Sequence, residues 1–213
     1  MKHCRGPRYS STTWPATFCQ RMLSALATLC VSMVSMPIHC DTEAQGYAMD
    51  EETGIESWQV SVRGVTVSLT QILPDQLRAF YVNRGFPVDV IEPYAVSCVY
   101  MTALRNDAAA GVATFRIADW RVVAGAQARA PISTAAWVTR LQPAQPGHAA
   151  MIAFRWAQFP SEHAYQPGGD WNQGMLSTGL QPGEQFDLIA SWHVDGQAIE
   201  GELKNVRCAR ESR

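Results

Sequence analysis

The stretch IESWQVSVRGVTVSLTQI, residues 55–72, constrains the fold more than any other part of the chain. Trp58, Val60 and Val62 alternate with polar residues in its first half, and Ile55 lies close to the same face. Val65, Val67 and Leu69 alternate in its second half, with Gln71 in register, and Arg63 and Gly64 fall between the halves. Period-two patterning puts every second side chain on one face of a strand, so one face of this pair must be buried. Two such runs around a two-residue turn predict a β-hairpin.

The rest of the chain repeats the theme with interruptions. VSCVYMTALRN (96–106) is dense in β-branched and aromatic residues, which predicts a strand. A turn at 107–111 leads to VATFRIADWRVV (112–123), where Val112, Thr114 and Arg116 oppose Ala113, Phe115 and Ile117, and the two strands read as a hairpin. AAMIAFRWAQF (149–159) predicts another strand, with Met151, Ala153, Arg155 and Ala157 opposing Ile152, Phe154 and Trp156. The last stretch, 179–208, reads as a Pro-Gly turn, a strand with Phe186, Leu188, Ala190 and Trp192 on one face, an Asp-Gly hairpin and a final strand.

Helical spacing intrudes in a few places. Leu77, Phe80 and Tyr81 recur at i, i+3 and i+4 between Pro74 and Gly85, which predicts a short helix, and 87–95 holds another helical turn. At 131–143, Ser133 is placed as an N-cap, Trp137 and Leu141 lie one turn apart, and Pro143 ends the segment. Seven or eight strands without a regular βα rhythm predict a mainly β fold. The expected architecture is an antiparallel, immunoglobulin-like sandwich over residues 55–213 with two or three short inserted helices.

The N-terminus belongs to a different kind of segment. Residues 1–40 hold Lys2, Arg5, Arg8 and Arg21 and no acidic residue, followed by the apolar run 22–36 and then Pro37. That layout is a secretory signal peptide, and the run is shorter than the roughly 20 residues a membrane-spanning helix needs. Cleavage of the ordinary kind near Cys40 and lipid attachment to Cys40 are both compatible with the sequence, although His39 is bulky for a lipoprotein site. A start at Met22 is a further option. Residues 41–54 are acidic and lack apolar periodicity, so a flexible tether is expected there.

Export leaves the body with two of the chain's six cysteines, Cys98 and Cys208, and in an oxidising compartment these are expected to pair. The chain has 17 basic and 19 acidic residues. Four basic and no acidic ones lie in the leader, so residues 41–213 carry a net −6. An acidic body excludes a sequence-independent nucleic-acid binder. It gives no hold on an anionic membrane either, which leaves an N-terminal lipid or uncleaved leader as the route to a membrane.

Catalytic signatures are missing: no Gly-x-Ser-x-Gly, His-Glu-x-x-His, phosphate-binding glycine loop or Cys-x-x-Cys occurs. Carboxylate pairs for glycoside hydrolysis have no linear spacing, so Asp119, Glu162, Asp170 and Asp187 stand as hydrolase candidates without an assigned partner. Imidazole and thioether ligands suit copper, and His148, His163 and His193, with Met151 and Met175, supply both types. The adjacent His-Met pair and closing His-x-Met of periplasmic copper chaperones are both absent.

FPSEHAYQPGGDWNQGM, residues 159–175, reads as a long ordered loop between two strands, and it is the leading binding candidate. Its aromatic residues either turn inward and staple the loop to the sandwich, the reading slightly favoured, or turn outward as a contact surface. In the second case His163, Tyr165, Asp170, Trp171, Asn172 and Met175 are its candidate contacts, with Trp171 as an aromatic anchor and Asp170 and Asn172 as hydrogen-bonding flanks. Arg78 and Arg84, beside an aromatic helix face, form a second candidate that would receive a carboxylate or phosphate. Taken together, these features predict a non-enzymatic binding or assembly module of the periplasm or cell exterior, which contacts an envelope protein or a small polar ligand through loop 159–176. A copper carrier and a hydrolase are the alternatives.

Overall fold

The computed structural model describes residues 44–211. The expected leader, Cys40 and the first residues of the expected tether lie outside them.

Two antiparallel sheets form a β-sandwich. The first runs in the order β1 (Ala44–Met49), β2 (Glu56–Val62), β3 (Val65–Gln71), β4 (Val99–Asn106) and β9 (Asp170–Ser177). The second is built on β10 (Gln185–Val194). On one edge β10 pairs with β11 (Gln197–Arg207). On the other it pairs at Asp187–Ile189 with β6 (Arg121–Ala124) and at Trp192–Val194 with β5 (Ala113–Arg116). β7 (Gln127–Arg129) extends β6, and β8 (Glu162–Tyr165) extends β5. The expected hairpins β2–β3 and β10–β11 are both present. Their turns carry consecutive positive φ angles at Arg63 (48°) and Gly64 (81°), and at Asp195 (50°) and Gly196 (78°), the twist that tight hairpins require. Gly64 has a second reason to be glycine, because a Cβ there would lie 2.4 Å from the Ala108 carbonyl carbon.

Four α-helices lie between the strands: α1 (Pro74–Val82), α2 (Val88–Ala95), α3 (Thr134–Leu141) and α4 (His148–Ala157). The first three match the sequence expectation, including the Ser133 cap, whose Oγ accepts from the Ala136 amide at 3.2 Å. The fourth replaces a predicted strand at 149–159. Apolar residues fill nearly every position of that segment, so an alternating pattern can be read from it without deciding the period. Alanines at 149, 150, 153 and 157 favour helix, and Ala150, Met151 and Phe154 turn inward together at helical spacing.

β4 serves two cores. Tyr100 and Leu104 face the sandwich interior with Trp58, Val67, Trp120, Leu188 and Trp192. Val99 and Met101, of opposite parity, meet the helices, where Tyr81, Tyr94, Trp137, Phe154 and Met175 gather. In that second core Tyr81 sits edge-on to Phe86 and Tyr94, with centroids 5.6 Å apart in both pairs.

Three further expectations change. The predicted β4–β5 hairpin does not form: β4 pairs with β3 and β9, β5 pairs with β10 and β8, and residues 107–112 cross between sheets. Fully buried Asn106 fixes this corner, accepting from the Ala109 amide (3.1 Å) and donating to the carbonyls of Gly111 and Tyr165 (3.0 Å each). The run 112–123 keeps its expected alternation but is broken by a 3₁₀ turn at Ile117–Asp119. Residues 44–49, assigned above to the tether, form edge strand β1. Tyr47 packs on Trp58 at 5.7 Å and donates to Glu56, and Gln45 exchanges two side-chain hydrogen bonds with the Lys204 backbone. These contacts need no apolar stripe, so periodicity could not reveal them.

The expected disulfide is present: Cys98 and Cys208 are bonded, with Cα atoms 5.1 Å apart and a sequence separation of 110. A cross-link of this kind belongs to an oxidising compartment rather than the reducing cytoplasm. No described helix is long and apolar enough to cross a membrane. Closing so long a loop stabilises the native state by about 4–5 kcal/mol through the unfolded chain's lost entropy. Cys98→Ala with Cys208→Ala should therefore lower the free energy of urea unfolding by several kcal/mol. A loss under about 1 kcal/mol would show that the bridge adds little to the surrounding contacts.

Candidate functional site

The segment expected as one long loop is two strands belonging to different sheets. β8 joins the second sheet through β5, whereas β9 completes the first through β4. Pro160 precedes β8, and Pro167, Gly168 and Gly169 make the corner between the strands, with φ near 100° at both glycines (102° and 98°). The turn-forming residues that suggested irregular structure mark only the joints. Phe159 starts the segment inside the sandwich core, its amide donating to the Met175 carbonyl at 2.9 Å. Gly174 permits this approach, since a Cβ there would meet the Phe159 nitrogen at 2.4 Å.

The six candidate contacts therefore separate. Tyr165 is buried and stacks on Phe115 at 5.8 Å, and desolvation raises its phenol pKa. Met175 is buried among the helices, where its sulfur accepts from the Tyr81 hydroxyl at 3.2 Å. Asp170 accepts from the Gln166 amide at 2.9 Å and so ties the corner. Trp171 is 53% exposed, on the outer face of the first sheet, in a cross-strand row with Arg105, Thr66 and Ser61. Asp170 and Asn172, with opposite parity, do not share its face. His163 is exposed on β8, edge-on to Tyr165 at 4.7 Å.

The metal candidates separate in the same way. His163 and His193 line one concavity of about 480 Å³ with Arg116, Asp119 and Glu162. Met175 lies in the helical core, and His148 is an exposed residue opening α4. Among the described residues no three His, Cys, Asp or Glu side chains converge closely enough to hold an ion. Of the four carboxylates, Asp119 and Glu162 share that concavity. Asp119 is engaged by Arg116, at 3.0 and 3.2 Å, while Asp187 accepts from the Asn205 amide at 2.7 Å. The second basic candidate is already occupied. Arg78 contacts Glu92 (2.6 Å), Asp75 (2.7 Å) and Glu211 (2.9 Å), and these bonds hold its pKa above the ordinary value. Arg84 lies over the Phe80 ring at 3.4 Å.

What the structure does assemble is a pair of adjoining concavities along β8. Besides the polar one, an apolar groove of about 510 Å³ lies between Ile117, Ala118 and Ser161 on one side and Pro131, Ile132 and Ala136 on the other. Arg116 and Glu162 border both. Among the described residues β8 pairs only with β5, so its far edge is open. The Ile117 amide donates to the Ser161 carbonyl at 2.8 Å. Antiparallel pairs alternate, so Phe115–His163 and Ala113–Tyr165 are the hydrogen-bonded pairs. It follows that the N–H and C=O groups of exposed Glu162 and Ala164 point away from β5, towards the open edge. Sequence reasoning singled out this segment but missed its open edge. The alternation of His163 and Tyr165 between Pro160 and Pro167 was its only local signal.

Exposure separates the two aromatic residues energetically. Trp171→Ala should change unfolding free energy by less than about 0.5 kcal/mol. Tyr165→Ala, which empties a core position, should cost about 3–5 kcal/mol in the same urea titration. Comparison with protein-family models, curated proteins and solved structures finds no match for this chain, so the reading of the site rests on its own geometry.

Proposed function

We propose that the chain is an exported, non-enzymatic binding or assembly module of the cell envelope. It takes up an extended segment of a protein partner as an added strand along β8. The site is periplasmic or extracellular, with attachment at the N-terminus through a lipid or an uncleaved leader.

The observation that carries this reading is the open edge of β8 beside an apolar groove. Strand addition uses main-chain hydrogen bonds for affinity and side-chain pockets for selectivity. The outward N–H and C=O groups of Glu162 and Ala164 provide the first. The groove walled by Ile117, Pro131, Ile132 and Ala136 provides the second, with room for one or two apolar side chains. Glu162 at its rim supplies a negative charge that favours a segment with a basic residue at the facing position, whereas Arg116, also at the rim, is paired with Asp119. β8 is only four residues long and two of its three exposed side chains are polar or charged, features that limit indiscriminate edge pairing.

Ala164→Pro tests the proposal directly. It removes an outward-facing donor without touching a β5–β8 hydrogen bond, and proline is tolerated at such an edge. Peptides selected from a random display library against the wild-type protein should be apolar and extended. They should slow amide exchange at Glu162 and Ala164, and lose at least about tenfold in affinity on Ala164→Pro with little change in melting temperature. Selected peptides that bind Ala164→Pro as well as wild type, or that leave those two amides unprotected, would overturn it.

A further inference from the structure

Helix α4 reads HAAMIAFRWA, with His148 and Arg155 as its only charged or titratable side chains. A helix that is apolar all round is ordinarily buried all round. Here Ala150, Met151 and Phe154 fill the helical core, but the opposite side is bare. Ala149, Ile152 and Trp156, spaced i, i+3 and i+7, form one outward ridge, and exposed His148 and Arg155 lie along its flank. Ile152 is 41% exposed and Trp156 is 86% exposed, more than any other large apolar side chain described. The turn between α1 and α2 lies alongside, since a Cβ at Gly85 would fall 3.9 Å from that of Ala150, and it adds exposed Val82, Arg84 and Val88.

Charge in this part of the chain has one sign. Residues 120–161 hold Arg121, Arg129, Arg140 and Arg155 and no Asp or Glu, although residues 41–213 carry a net −6. Arg121 pairs with Glu200, but no carboxylate among the described residues pairs with Arg84, Arg140 or Arg155. The acids of the four helices, Asp75, Asp89 and Glu92, all belong to α1 and α2, and Arg78 holds the first and the last. The acidic total of the body therefore conceals a cationic face around a bare apolar ridge. We propose that α4 docks this protein onto an anionic lipid surface. The ridge lies in the plane of the interface, Ile152 and Trp156 enter the boundary between headgroups and acyl chains, and Arg155, with Arg140 and Arg84 on the neighbouring elements, meets lipid phosphates. An indole suits that boundary because it joins a large apolar ring to one N–H. A protein partner fits less well. Ten residues of helix span about 15 Å, and a ridge of three side chains falls short of the roughly 1,000 Å² that a stable protein interface buries. A bilayer demands no matching surface.

The test uses the exported protein with its own N-terminus and vesicles of equimolar phosphatidylglycerol and phosphatidylcholine bearing brominated acyl chains. Bromine quenches an indole that enters the bilayer, and the quenching lost in Trp156→Phe belongs to Trp156. An N-terminal lipid or leader holds the protein to vesicles without quenching this residue, so the two routes to a membrane are told apart. The expected result is saturable quenching of Trp156, at least about tenfold tighter than on phosphatidylcholine alone. Arg155→Gln should weaken it about fivefold and Ile152→Gln at least about tenfold, both with little change in melting temperature because the positions are exposed. Peptide capture along β8 should be unaffected by either substitution, which keeps this proposal independent of strand addition. Trp156 left unquenched on the anionic vesicles, equal quenching on neutral ones, or a response that either substitution leaves unchanged would overturn the docking surface. So would a concentration-dependent dimer that Trp156→Ala dissolves, since a second copy would then cover the ridge.

Discussion

The fold depends on how the last strand is fastened to β4. Cys208 is covalently held to Cys98, which has a positive φ of 56° immediately before β4 begins. One residue earlier, the Arg207 carbonyl accepts from the Tyr100 hydroxyl (2.6 Å) and the Gln71 amide (2.7 Å), while its guanidinium pairs with Glu56. Gln71 also receives the Glu56 amide at 3.0 Å, so β2, β3, β4 and β11 meet at one clasp. Glu56 is 8% exposed, a position where a carboxylate is tolerated only because Arg207, Gln71 and Tyr47 all bond to it. Since β4 carries both cores on its two faces, fixing its start fixes the sandwich and the helical layer together.

The candidate site follows from where strands change sheets. The 107–112 crossover and the 166–169 corner both take the chain from one sheet to the other, and Asn106 touches both: it binds the Gly111 and Tyr165 carbonyls, while its own carbonyl accepts the Gly169 amide at 2.7 Å. This leaves β8 as a short outlying strand with no described strand beyond it, and brings the 130–136 segment up to form the far wall of the groove.

Much of this was legible in the residues themselves. The two hairpins announced themselves through alternation around Arg-Gly and Asp-Gly, because glycine in the second position takes one of the two successive positive φ angles without a Cβ clash. The cysteine pair and α1, α2 and α3 were equally readable. The misreadings share a cause. In 149–157 apolar residues saturate the pattern, so periodicity carries no information and alanine's helix preference decides. In 44–49 the strand is held by side-chain hydrogen bonds and one aromatic contact, which hydrophobic patterning does not record. In 159–175 proline and glycine read as diffuse loop signals, although all but Gly174 are concentrated at Pro160 and at 167–169. The candidate site inherited that error. Its residues were drawn from one loop, but parity on β9 and the sheet change at the corner scatter them over three environments.

The covalent link has a mechanical corollary. If the chain is stretched between its ends, tension runs through the sulfur bridge and bypasses everything between Cys98 and Cys208. β1, β2, β3 and the first two helices can be peeled away under load. The β8 edge, its groove and α3 lie inside the bypassed loop and cannot be drawn out. Tension applied from the N-terminal side would fray the strands and helices that precede Cys98 and spare those that lie between the two sulfurs.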